Sequence, residues 1–202
     1  MNLNKENIKQ FLDSVDHVLN SNTFLLSLKV DYNCPEKTIE QLTEFIDSGN
    51  FQKQILEQDV IRNWNNYQYL NPESLLFEAS SKELIKPNYN IELKEIEKEK
   101  KIDYLVLMLI VEPNKYNFWS PYGRQYDKST AKNILSTFLD EIVESRRWRL
   151  FTLNTDFCYS QVDDYNDEEI MSYFQGDYGS DSASLIIAEN DDGFLLLTNG
   201  VD

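Results

Sequence analysis

Within the first 32 residues the apolar pattern changes its period, and that change sets the class of fold open to this chain. Ile8, Phe11, Leu12, Val15, Val18 and Leu19 recur at helical spacing between Asn4 and Asn20, with Asn4 placed to cap the first turn. From Thr23 the pattern alternates instead. Phe24, Leu26, Leu28, Val30 and Tyr32 fall on one face of an extended chain, as in a strand. A helix leading directly into a strand points to a mixed architecture.

The same reading continues along the chain. Pro35 suits the first turn of a second helix that runs through Ile46, with Ile39, Leu42, Phe45 and Ile46 inward and Ser48-Gly49 as its stop. Phe51 to Asn66 predicts a third helix with Phe51, Ile55, Val60, Ile61 and Trp64 as its apolar set. Residues 67–101 are the least patterned. Tyr89, Ile91 and Leu93 alternate like a strand, and Glu95 to Lys101 reads as a solvated, mixed-charge turn. Ile102 to Val111 is almost continuously apolar and ends at Glu112-Pro113, which predicts a central strand buried on both sides.

Ser129 or Thr130 then starts a helix to about Ser145, with Ile134, Leu135, Phe138, Leu139, Ile142 and Val143 as its buried stripe. Arg146, Arg147 and Arg149 follow its C-terminus, where the helix dipole favours cations. Trp148 to Leu153 predicts a strand, and Asn166 opens a short helix. Ala183 to Ala188 and Phe194 to Thr198 flank Asn190-Asp191-Asp192-Gly193, the signature of a hairpin with Gly near the end of its turn. The expected class is α+β: helices packed on a largely antiparallel sheet, closed by a C-terminal β-hairpin. Its 202 residues suit one domain, with a possible N-terminal lobe over 1–80 and a C-terminal lobe over 102–202.

Charge is distributed unevenly. The chain carries 35 acids and 19 bases, a net charge of -16. From Leu150 to Asp202 there are 12 acids and no Lys or Arg. A field of that sign repels nucleic acid and anionic membrane, and speeds association with basic proteins. The longest apolar run, Tyr104 to Val111, is eight residues, far short of the roughly 20 that span a bilayer. The N-terminal residues show no signal peptide, and Cys34 and Cys158 form no C-x-x-C pair. Two free, mostly buried thiols in a cytoplasmic protein are the expectation.

Signatures of catalysis are sparse. His17 is the one histidine and sits beside the apolar stripe of the first helix, which suits a surface position better than a general base. A phosphate-cradling glycine motif is absent, and four of the six glycines lie after residue 175. Asp163-Asp164 and Asn190-Asp191-Asp192-Gly193 both break the alternation that a calcium loop requires. No catalytic residue, metal or cofactor is therefore expected, and the chain reads as a binding protein.

Two stretches stand out as surfaces. Tyr116 to Tyr126 is an aromatic loop that either contacts a ligand or folds back on the core. Between Asp156 and Asp181, Phe157, Tyr159, Tyr165, Tyr173, Phe174 and Tyr178 alternate with acids. Tyrosines supply amphipathic contact area, and carboxylates accept bidentate bonds from Arg. The candidate contact residues are Asp163, Asp164, Tyr165, Asp167, Glu168, Glu169, Asp177, Tyr178 and Asp181.

These Asp/Tyr-rich loops, the acidic composition and the closing hairpin that ends Phe194-Leu-Leu-Leu-Thr-Asn-Gly-Val-Asp202 together resemble the immunity proteins of bacterial polymorphic-toxin and contact-dependent inhibition systems. The likeness spans the whole chain in composition and layout. It implies a non-enzymatic inhibitor that covers a basic partner, the cognate toxin domain, often a nuclease, with no direct contact to nucleic acid or membrane. A nucleic-acid mimic from a phage or mobile element shares these electrostatics, and an acidic housekeeping domain needs charge only for solubility.

Overall fold

A computed structural model describes residues 5–19, 21–62, 91–110, 125–153 and 182–200. In chain order these form α1 (Glu6–Leu19), β1 (Ser21–Lys29), a 3-10 turn (Pro35–Lys37), α2 (Thr38–Asp47), α3 (Asn50–Arg62), β2 (Leu93–Glu95), α4 (Lys101–Ile110), α5 (Lys128–Val143), β3 (Trp148–Leu153), β4 (Ser182–Ala188) and β5 (Asp192–Gly200). The five strands make one sheet in the order β1-β5-β4-β3-β2, antiparallel throughout. The α+β class and the C-terminal hairpin follow the sequence pattern.

Helices cover both faces of the sheet. On one face α1, α4 and α5 bury Phe11, Leu105, Leu109, Leu135 and Phe138 against Leu25, Leu150, Ile186 and Leu196 of the strands. Phe11 and Phe138 stack with ring centroids 4.1 Å apart, fixing α1 against α5. On the other face α2 and α3 place Leu42, Ile46, Phe51 and Ile55 against Phe24, Leu26, Leu28, Val30, Leu185 and Leu197. The alternation of β1 thus sorts its side chains as expected. All seven residues of β4 are buried. An antiparallel sheet with one wet face would show alternation there, whereas burial on both faces permits the apolar run from Leu185 to Ala188.

The apolar run 102–111 is not a strand. Residues 101–110 form α4, wedged between α1, α5 and the sheet, with Tyr104, Leu105, Val106, Met108, Leu109 and Ile110 all buried. A run that is apolar on every side fits a fully enclosed helix as well as an enclosed strand, because neither leaves a polar face to reveal the period. Its composition favours the helix, since Leu105, Leu107, Met108 and Leu109 are good helix formers. Ile39 also departs from expectation and is 41% exposed, so α2 buries Leu42 and Ile46 without it. Val60 and Ile61 lie outside the described side chains, and Trp64 and the helix expected at Asn166 lie outside the described residues.

Local chemistry sets the element ends. The α5 helix is capped by Asp127, two residues before Ser129, the earlier of the expected starts; its Oδ1 accepts from the Ser129 and Thr130 N–H groups, both at 3.0 Å. At the β4–β5 hairpin Asp191, not glycine, takes the left-handed conformation, with φ of 64°. Asp tolerates that region through local hydrogen bonding. Gly193 instead sits within β5 opposite Leu28, where a Cβ would come 2.8 Å from Cγ2 of Val30 and 3.2 Å from Leu28. The glycine there serves close packing between β1 and β5.

Replacing Gly193 with Ala should therefore destabilise the fold by about 1–3 kcal/mol through overpacking, read as a lower urea midpoint with an unchanged slope. Phe138→Ala, which empties the aromatic stack, should cost about 3–5 kcal/mol in the same measurement.

Candidate functional site

Asp163, Asp164, Tyr165, Asp167, Glu168, Glu169, Asp177, Tyr178 and Asp181 lie outside the described residues, as do residues 116–124 of the aromatic loop. The positions from which these stretches depart are described. Leu153 ends β3 and is the register partner of Ala183, one residue into β4. The 28 residues of 154–181 thus leave and rejoin the sheet at neighbouring points on adjacent strands. Leu93 pairs with Leu153, so residues 63–90 lead into the sheet at the same end. The α3 helix runs toward that end too, since Gln54 bonds Ser27 and Gln58 bonds Leu25, nearer the start of β1. The α4 helix starts at the opposite end, where Lys101 Nζ donates to the Trp148 carbonyl at 2.8 Å. Residues 63–90 and 154–181 therefore both join the described fold at the end of the sheet opposite the β4–β5 hairpin.

The hairpin end carries ion pairs. Arg147 Nε meets Glu189 at 2.7 Å, Lys29 Nζ meets Asp192 at 2.5 Å, and Arg146 meets Glu144 at 2.7 Å. Asp191 Oδ1 accepts from the Tyr32 N–H at 2.9 Å. Three acids of the base-free final quarter thus find partners from earlier in the chain, and Glu189 and Asp192 are held ionised below their ordinary carboxyl range by hydrogen bonds from Arg147 and Lys29. The acids of that quarter are not all unneutralised. The concentration that remains is the eight acids within 154–181.

Arg149 makes a two-pronged contact with Glu95, Nε to Oε1 at 2.8 Å and Nη2 to Oε2 at 2.6 Å, while Nη1 donates to the Tyr32 carbonyl at 3.3 Å. This fork ties β3 to the edge strand β2 and to the segment after β1. Position after a helix suggested a role for these arginines at the α5 terminus. Their tertiary partners, Glu95 and Glu189, are 54 and 42 residues away and carry no local signal.

Beside Glu95 a cleft of about 250 Å³ is floored by Ile96, Tyr104, Val106, Leu107 and Ile110 and rimmed by Lys94, Glu97, Lys100, Asp103 and Lys128. The rim is partly self-paired, Lys100 to Glu97 at 2.6 Å and Asp103 to Lys132 at 3.3 Å. The Arg149 guanidinium holds the Glu95 carboxyl below its ordinary value of 4.5. A carboxylate so held is a poor proton donor near neutral pH. Lys101 lies 3.5 Å from the centre of the Trp148 ring, and burial pushes its ammonium down from its ordinary value. Its contacts are those of a pin between α4 and β3.

The other candidate groups sit apart from this cleft. His17 is exposed on α1. Cys34 is free and half-buried, less enclosed than expected, and its thiol donates to Glu36 at 2.8 Å. That bond pushes its pKa up and keeps it a thiol. Tyr126, the last residue of the aromatic loop, packs on the core, with its hydroxyl 3.1 Å from Ser14 Oγ and its N–H donating to Leu109 O. Among the described residues no group of three or more His, Cys, Asp or Glu side chains is placed to hold a metal. No helix among them is long and apolar enough to cross a membrane.

Comparison with known proteins identifies no relative: no protein family, curated protein or solved structure matches the chain.

The Arg149–Glu95 fork has a pH signature. Glu95 has a depressed pKa in the fold, so its stabilising effect is present above its unfolded value of 4.5 and is lost as pH falls through the lower folded value. Glu95→Gln should therefore lose stability relative to wild type near pH 7, by about 1 kcal/mol or less given solvent screening, and the gap should close near pH ~3. Urea midpoints of both proteins across that range measure it.

Proposed function

We propose that this chain is a non-enzymatic inhibitor that neutralises a basic protein, the cognate toxin domain of a bacterial toxin–immunity pair, through the acidic-aromatic stretch 154–181. The observation that carries the reading is a separation of charge. That stretch holds eight acids, six aromatic residues and no base, and it departs from one end of the sheet. Arg146 and Arg147 are engaged with acids at the other end, and Arg149 with Glu95.

Asp163, Asp164, Asp167, Glu168, Glu169, Asp177 and Asp181 take the Lys and Arg side chains of the partner, with Tyr165 and Tyr178 as anchors. Carboxylates gain most from such contacts when the partner brings guanidinium groups, and tyrosines add area at little entropic cost. A basic nuclease domain fits this description, since its substrate channel must already attract phosphates. The cytoplasm is where an inhibitor of such a toxin has to act.

The test is co-expression with the toxin domain encoded by a neighbouring reading frame. Survival of the host, together with a complex whose association rate falls about tenfold or more from low to high salt, is the expected outcome. Asp163→Lys combined with Glu168→Lys should abolish protection while leaving the circular dichroism spectrum unchanged. Binding indifferent to salt and to both substitutions would show that the surface lies elsewhere.

A further inference from the structure

Among the described residues, the outer edge of the sheet at β1 is met along Leu25 and Ser27 by side chains, not by another strand. In the register of β1 with β5, Val30 N–H turns inward to Asp191 O, so the even-numbered residues of β1 face β5 and the odd-numbered ones face outward. Leu25 and Ser27 therefore present their N–H and C=O groups away from the sheet. The α3 helix runs antiparallel to this edge and meets both groups of both residues. Gln58 Oε1 accepts from Leu25 N–H at 3.0 Å, and its Nε2 donates to Leu25 O at 3.0 Å. Gln54 repeats the pattern at Ser27, accepting at 2.8 Å and donating at 2.8 Å.

The spacing explains why two glutamines suffice. Four residues of helix rise about 6 Å, and two residues of strand about 6.8 Å, so amides at i and i+4 match peptide groups at i and i+2. A primary amide offers one donor and one acceptor, the same pair as a peptide group. Further along, Gln41 of α2 accepts from the outward Asp31 N–H at 3.1 Å, and the Lys29 side chain between them is exposed. A lysine on an edge strand disfavours pairing with another chain.

We propose that Gln54 and Gln58 act as a surrogate sixth strand that keeps β1 from pairing with the β1 edge of a second copy of this chain. The apolar flank of α3, Phe51 and Ile55, anchors the helix to the sheet face, and the glutamines hold its other flank to the edge. Without the amides, the outward groups of Leu25 lose their partners in a buried position, Gln58 being only 2% exposed, and those of Ser27 lose theirs in a half-buried one beside a cleft of about 270 Å³ lined by Leu25, Ser27, Gln54 and Gln58. A second β1, antiparallel about a two-fold axis, satisfies all of them at once.

The test compares wild type with Gln54→Ala/Gln58→Ala and with the similarly sized Gln54→Met/Gln58→Met, which keeps neither donor nor acceptor, by sedimentation velocity. Wild type should sediment as a monomer and both double variants at twice that mass. Adding Ser27→Pro, which deletes only an outward N–H and spares the bonds to β5, should return both variants to monomers. Two variants that remain monomeric with native circular dichroism would overturn the proposal. Self-association that survives Ser27→Pro would do the same, because it would mark an exposed core instead of an open edge. Amide exchange of wild type gives a reading independent of any variant. Leu25 and Ser27 amides should exchange about tenfold or more slowly than unprotected ones, and free exchange at either would show that no clamp operates.

Discussion

Burial of one antiparallel sheet on both faces is the constraint from which the remaining features follow. Antiparallel sheets commonly keep a wet face. Here α1, α4 and α5 occupy one side and α2 and α3 the other, so β4 has no residue that faces solvent. Among the described residues, five helices cover the two faces, and α4 is buried at Tyr104, Leu105, Val106, Met108, Leu109 and Ile110. Two covered faces also force polar side chains within the strands to pair. Ser182 and Thr198, opposite each other on β4 and β5, share a 2.6 Å hydrogen bond.

With the faces closed, charge among the described residues is confined to the ends, edges and outer helix faces. The edge at β2 is three residues long and carries Lys94 and Glu95, a short and charged strand of the kind that resists pairing. The edge at β1 is nine residues and too long for that solution, so helix side chains close it. The hairpin end holds the ion pairs of Arg146, Arg147 and Lys29, while the opposite end gives rise to the acidic stretch.

How much of this was legible in the sequence depended on range. Helical spacing in α1, α2 and α5 and alternation in β1 are properties of neighbours, and they predicted those elements to within a few residues. The hairpin was equally local, although its glycine turned out to relieve crowding against Val30 and Leu28 and not to make the turn. The α4 segment reads as a strand because its exposed Ile102 and half-buried Leu107 are as apolar as its buried residues, which leaves periodicity nothing to distinguish. The Arg149–Glu95 fork and the Gln54 and Gln58 bonds to β1 were invisible for a different reason: each joins residues 27 or more positions apart whose meeting depends on how the layers stack. The acidic-aromatic site was visible only as composition, and the sheet register adds where it is attached, with the partners of Glu189, Asp191 and Asp192 removing those three acids from it.

The attachment of residues 154–181 to neighbouring positions on β3 and β4 bears on how such a protein can change over generations. The closure entropy between two ends held one strand apart grows only slowly with the length of chain between them, so the positions of Leu153 and Ala183 set little limit on that length. On the proposed reading, recognition drifts in step with a changing partner while the helices and strands stay under separate selection for packing. Lineages descended from a common ancestor would on this view keep the buried pattern of β3, β4 and β5 and diverge most between Leu153 and Ser182.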